Sequence, residues 1–299
     1  MGTSADPQGV PYPKLPLWST IGLSYSTYFR HFIDALSVSW LWLVLVTPLT
    51  AVASWQQWSW MSAVIAGAER GMPVQTLALP FEVQVLSNVD YLLVLLASVS
   101  IAVAWHRLMI LGDHPGFSGS NVATRHLWRY IGIGLVIFLI FFLPAVIMFP
   151  MFYLFFPPLP GAGPPRAPFF VVLLAFVVLD IFAVAVALRL TLLLPARAVG
   201  DLRLTFEQMW NRTRGNAWRL FWGVAFTTVP PLLLGEIGVL FAGGGPPNPL
   251  KFLNEDFVAQ MTVNSCVFVI YYLLILPIGI GFLSHAYRHF FQAHPELRR

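Results

Sequence analysis

Asp180 is the acid whose position says most. It lies eleven residues after Phe169 and nine before Arg189, with no other charge between those two. A charge at the centre of a membrane helix costs at least about 2.5–3.5 kcal/mol, so such a residue is a functional candidate by default. Pro230 and Pro231 lie at a similar depth, eleven residues from Arg219, and Pro277 lies eleven from Arg288. A proline inside a helix leaves the carbonyl four residues earlier without its amide partner, here Phe226 and Thr227. Asp180 with Thr227, Thr228, Pro230 and Pro277 would form a polar site at the midplane, of the kind transporters build from interrupted helices. The plainer alternative is a protonated acid hydrogen-bonded to a neighbouring hydroxyl.

Histidines offer a second chemistry. His285 and His289 are spaced i, i+4 and share a helix face, with His106 at the inner end of another apolar run. Such spacing suits a metal ion. No glutamate separates the pair, so the zinc-protease pattern is absent. Histidines also accompany basic residues at one membrane face, and neither metal nor cofactor is expected. The chain carries no Gly-x-Ser-x-Gly, P-loop or Gly-x-Gly-x-x-Gly motif. These sequence features lead us to expect no enzyme.

These residues need elements to hold them. The 299 residues are 58% hydrophobic and 10% charged, with mean hydropathy +0.73. Soluble domains carry about 25% charge, so the composition excludes an ordinary soluble domain and disorder alike. Six runs reach the roughly 20 apolar residues a membrane helix needs: 35–54, 88–110, 131–153, 169–194, 218–242 and 262–286. The expected fold is all-α and polytopic, with six transmembrane helices arranged as three hairpins. Two amphipathic interfacial helices are expected besides, at 17–32 and 202–217. Thr205 and Gln208 are placed for a capping box at the start of the second. A short interfacial helix is also expected near Ser59 to Arg70. Residues 1–16, with four prolines, read as a flexible tail ahead of a single membrane domain at 17–299.

Lysine and arginine divide 14 to 3 between the two sets of loops. The positive-inside rule then places both termini in the cytoplasm. The net charge of +4 is thus a polarity across a membrane, and nucleic acid is not an expected partner. Arg107, Arg129, Arg189, Arg212, Arg214, Arg219 and Arg288 are candidates for anionic lipid headgroups, at about 1 kcal/mol each near the surface. The hairpins also share an aromatic–arginine entry, as in Trp128-Arg129 and Trp218-Arg219, which could mark a degenerate repeat.

Two segments carry a resemblance. One is Trp105-His106-Arg107-Leu108-Met109-Ile110-Leu111-Gly112-Asp113. The other runs from Leu194-Pro195-Ala196-Arg197 through Trp210 to Thr213-Arg214-Gly215-Asn216-Ala217-Trp218-Arg219-Leu220. They resemble uncharacterised bacterial six-helix inner-membrane proteins. They are similar to the membrane domain attached to some glycerophosphoryl diester phosphodiesterases. The resemblance implies topology; the catalytic barrel of those enzymes has no room in this chain. The reading that results is a multi-pass protein of a bacterial inner membrane. It would be a non-enzymatic scaffold or accessory subunit touching membrane lipids or another membrane protein. The alternative is a small transporter or channel using Asp180.

Overall fold

A computed structural model describes residues 13–71, 79–114, 125–155, 167–242 and 255–292. Among the described residues the chain is all helix and turn, with no strand. Five stretches are long and apolar enough to cross a membrane: Phe32–Glu69, Phe81–Leu111, Arg125–Ile147, Leu174–Ala198 and Phe257–Gln292. Helices suit such runs because each satisfies its own backbone polar groups where no water can. The chain therefore has the make-up of a multi-pass membrane protein.

In chain order the elements are α1 (Leu17–Arg30), α2 (Phe32–Glu69), α3 (Phe81–Leu111), α4 (Arg125–Phe155) and α5 (Ala167–Leu190). There follow α6 (Leu193–Ala198), α7 (Phe206–Arg212), α8 (Ala217–Ala242) and α9 (Glu255–Tyr287). A wider π turn, Arg288–Gln292, extends α9. Successive long helices pack in pairs, α2 with α3, α4 with α5, and α8 with α9.

The helices differ in instructive ways from the apolar runs. The 38 residues of α2 form one helix about 57 Å long. The separate helix expected near Ser59 to Arg70 is simply its C-terminal end. Apolarity marks where lipid would lie, but backbone hydrogen bonding continues past it through Gln56, Gln57 and Ser59. The run 169–194 is divided instead, since α5 stops at Leu190 and a turn at Thr191-Leu192 leads into α6. The helix expected over 202–217 is only seven residues long. Its capping box is present: Thr205 Oγ1 accepts from Gln208 N, and Gln208 Oε1 accepts from Thr205 N, each at 3.2 Å. It ends at Arg212, and the turn that follows closes at Gly215, whose φ of +75° is a left-handed conformation that favours glycine.

Helix α9 occupies the centre and touches α1, α2, α3 and α8. Its fit against α8 depends on glycines. A Cβ on Gly223 would overlap the ring of Phe282, and one on Gly235 would overlap Tyr271. One on Gly279 would lie 3.1 Å from Thr228 Oγ1. Small residues let helix backbones approach closely where lipid supplies no hydrophobic drive. The three pairs keep one antiparallel register along the whole seam. By contrast α4 turns most of its apolar surface outward, including Leu135, Phe138, Leu139 and Leu143.

The chain's start is also held. Residues 13–16, expected as the end of a flexible tail, are fastened to the α7–α8 junction. Leu15 is fully buried, and its N–H donates to Asn216 Oδ1 at 2.9 Å. Its carbonyl accepts from Arg219 at 2.6 Å, and Asn216 Nδ2 donates to the Pro13 carbonyl at 3.1 Å. Residues 1–12 lie outside the described residues.

Candidate functional site

The midplane residues singled out by the sequence differ in their surroundings. Asp180 is partly buried on α5, beside the exposed Val177, Val178, Ile181 and Phe182. Among the described residues it has no hydrogen-bond or ion-pair partner. Thr227 is buried on α8, and its hydroxyl donates to the Gly223 carbonyl of the same helix at 2.8 Å. Thr228 meets α9 at Gly279, two residues beyond the buried Pro277, whereas Pro230 is exposed.

Neither α8 nor α9 unwinds at its prolines. Two of the opened carbonyls, those before Pro230 and Pro277, face hydroxyls of other helices. The Phe226 carbonyl, four residues before Pro230, accepts from the Tyr25 hydroxyl of α1 at 2.8 Å. The Leu273 carbonyl, four before Pro277, faces the Ser39 hydroxyl of α2 at 3.5 Å. The Tyr271 hydroxyl donates to the Pro231 carbonyl. Pro230 and Pro277 thus each leave an acceptor that a hydroxyl of a neighbouring helix faces.

The most site-like feature surrounds a different acid. Asp90 reads from sequence as an outer-loop charge just inside the start of a span at 88. Helix α3 begins at Phe81, so Asp90 lies nine residues, about 14 Å, along it. It is 8% exposed. Thr50 Oγ1 donates to Asp90 Oδ1 at 2.7 Å. Both line a 530 Å³ cavity between α2, α3 and α9. Each helix contributes one face: Thr50, Ser54, Gln57 and Trp58 from α2; Ser87, Asp90 and Tyr91 from α3; Asn264, Ser265 and Phe268 from α9. The signal was present in the sequence. Thr50, Ser54 and Gln57 fall at i, i+4 and i+7, as a helix face requires.

The histidines do not converge. His106 is fully buried between α4 and α9. Ser284 donates to the Ile280 carbonyl at 3.0 Å, so its oxygen accepts from His106 Nδ1 at 2.8 Å. His106 Nε2 then accepts from the Tyr130 hydroxyl at 3.4 Å. A relay from α4 through α3 to α9 therefore engages both ring nitrogens. His285 Nε2 pairs instead with Thr27 Oγ1 of α1 at 3.2 Å. Among the described residues no group of three His, Cys, Asp or Glu side chains could hold a metal ion.

Most of the arginines assigned to lipid have protein partners. Arg107 donates to Asp113 Oδ2 at 2.6 Å and to the Ala198 carbonyl at 3.4 Å. Arg189 lies over the Trp210 ring, 4.2 Å from its centroid. Arg212 reaches the Phe290 carbonyl at 3.3 Å, and Arg288 reaches the Met109 carbonyl at 3.5 Å. Arg219 holds Leu15, as described. These contacts tie the helix ends together at one end of the bundle. Arg129 is partly buried and Arg214 is exposed.

Comparison with protein-family models, with curated proteins and with solved structures finds no match to this chain.

Proposed function

We propose that the chain is a six-span protein of a bacterial inner membrane, with both termini in the cytoplasm. In this reading it serves as a non-enzymatic scaffold or accessory subunit, bound to anionic lipid or to another membrane protein. The observation that supports it best is where the polar side chains are spent. Tyr25, Ser39, Tyr130, His106 and Ser284 each fasten one helix to another, as a structural element would use them.

The sixth span would be α8, whose 26 residues extend about 39 Å, more than the roughly 30 Å of a hydrocarbon layer. The arginine-rich end would face the cytoplasm by the positive-inside rule. There α1 directs Trp18, Leu23 and Phe29 outward, which suits a helix at headgroup level. Arg214, exposed, and Arg129 are the arginines best placed for lipid phosphate. The resemblance of segments 105–113 and 194–220 to the phosphodiesterase-linked membrane domain enters as a likeness of topology.

Native co-purification in mild detergent, with mass spectrometry of bound proteins and lipids, tests the proposal. A stoichiometric membrane partner or enriched anionic lipid supports it; a monomer carrying neither overturns it. A transport role is the second reading. The feature favouring it is the Asp90 cavity more than Asp180. Substrate counterflow in proteoliposomes, lost in Asp90→Asn and kept in Asp180→Asn, would support that second reading.

A further inference from the structure

We propose that the cavity around Asp90 is a binding site for an organic ammonium group. This requires binding alone and stands apart from the scaffold reading. The argument begins with charge. Among the described residues Asp90 supplies the one acidic side chain of the lining, and no lysine or arginine lines the cavity to neutralise it. Thr50 engages one carboxylate oxygen, and among the described residues the other has no partner. An anion would meet repulsion there. A calcium ion takes six to eight oxygen ligands, often from several carboxylates, and one carboxylate is a poor start.

The walls and size narrow the class further. Trp58 and Phe268 line the cavity, and aromatic faces attract cations through the ring quadrupole. Gln57 and Asn264 add side-chain carbonyl oxygens that can accept N–H donors. The 530 Å³ volume lies within the range of about 300–1,000 Å³ for small-molecule sites. It is far more than a bare ion fills.

The position makes the site reachable. Asp90 stands 17 residues from Arg107, about 25 Å along α3. With Arg107 at one face of a hydrocarbon layer roughly 30 Å thick, Asp90 lies close to the other. An ammonium could arrive there from the aqueous side. It could equally be the headgroup of a lipid leaning in from the bilayer. The recognition chemistry is the same.

The test uses the full chain in nanodiscs of phosphatidylglycerol, titrated calorimetrically with ethanolamine at 0.15 M salt. Ethylene glycol serves as the neutral control. Saturable binding of ethanolamine but not glycol is expected, at least tenfold weaker in Asp90→Asn. That substitution keeps an acceptor for the Thr50 hydroxyl. Asn264→Leu, which leaves the charge in place, is expected to weaken binding at least threefold. It remains informative should Asp90→Asn fold poorly. Absence of saturable binding to the wild type overturns the proposal, as does a loss below tenfold in folded Asp90→Asn. Nanodiscs of phosphatidylethanolamine distinguish the sources. Weaker apparent ethanolamine binding there identifies a lipid headgroup as the occupant, and unchanged binding identifies a soluble ammonium.

Discussion

Replacing Gly223 with alanine tests how α8 and α9 fit. A Cβ at this position would overlap the far edge of the Phe282 ring, and even Cε1 would lie only 2.6 Å away. Ordinary contact begins near 3.4 Å and the nearest ring atom, Cζ, lies at 1.8 Å, so the ring or the helix must move by about 1.6 Å. Phe282 has no room to give, because it is fully buried against α1, α6 and α8. Overpacking a tight core costs about 1–3 kcal/mol, and this overlap belongs at the upper end. At about 2–4 °C per kcal/mol for a domain of 150–250 residues, a 3 kcal/mol loss lowers the melting temperature by about 6–12 °C. Thermal unfolding in detergent, followed by size-exclusion fluorescence, reads this directly. Gly132→Ala is the control: its methyl meets open space, so the melting temperature holds or rises. Gly223→Ala/Phe282→Leu should melt above Gly223→Ala alone, because the smaller side chain vacates the overlap. A Gly223→Ala protein melting within about 2 °C of wild type would refute the seam geometry. So would a double mutant that shows no recovery.

Three further outcomes follow from the hydrogen bonds. Tyr25→Phe removes the donor to the Phe226 carbonyl and should cost about 0.5–1.5 kcal/mol. The same change should cost nothing in a Pro230→Ala background, where the restored amide reaches that carbonyl; equal losses in both backgrounds would sink the idea. Ser284→Ala leaves the buried His106 Nδ1–H without its acceptor, and a loss of about 1–3 kcal/mol is expected in chemical unfolding. Thr205→Ala removes the cap of α7, worth about 1 kcal/mol, so hydrogen exchange across 206–212 should quicken about fivefold. Unchanged exchange would show that packing around Met209, not the cap, holds that turn.

The long helices were legible because their signal is redundant. Twenty consecutive apolar residues tolerate many individual errors, so each expected run falls on a helix, though 169–194 spans the break at Thr191. Helix ends were less legible, because polar residues such as Gln57 and Glu82 continue a helix that hydropathy reports as finished. That error hid Asp90: counting from residue 88 left it at a loop edge, while α3 begins at Phe81 and buries it beside Thr50. The cavity needs three helices in register, and one helix's periodicity cannot give the phase of the others. The same limit applies to the arginines. Their clustering at one end could be read loop by loop, but not that Arg219 would reach back to Leu15. The capping box at Thr205 was legible because its two partners are three residues apart. The position of Pro230 revealed that the Phe226 carbonyl would be vacant, and only tertiary structure revealed Tyr25 as its donor.

The centrality of α9 has a consequence for the order of events during synthesis. Ribosomes emit α1, α2, α3 and α8 before residues 255–287 exist, yet each of those helices rests on α9. Until it arrives, the Leu273 carbonyl is missing for Ser39, the Ser284 hydroxyl for His106 and the Phe282 ring for Gly223. The earlier helices must therefore wait in the bilayer as a loose set with an unfilled centre. A nascent chain halted before Glu255 should be far more sensitive to membrane proteolysis than one extended past Tyr287. Maturation of this protein then depends on a late arrival, and the quality-control machinery of its membrane meets a half-built bundle each time a chain is made.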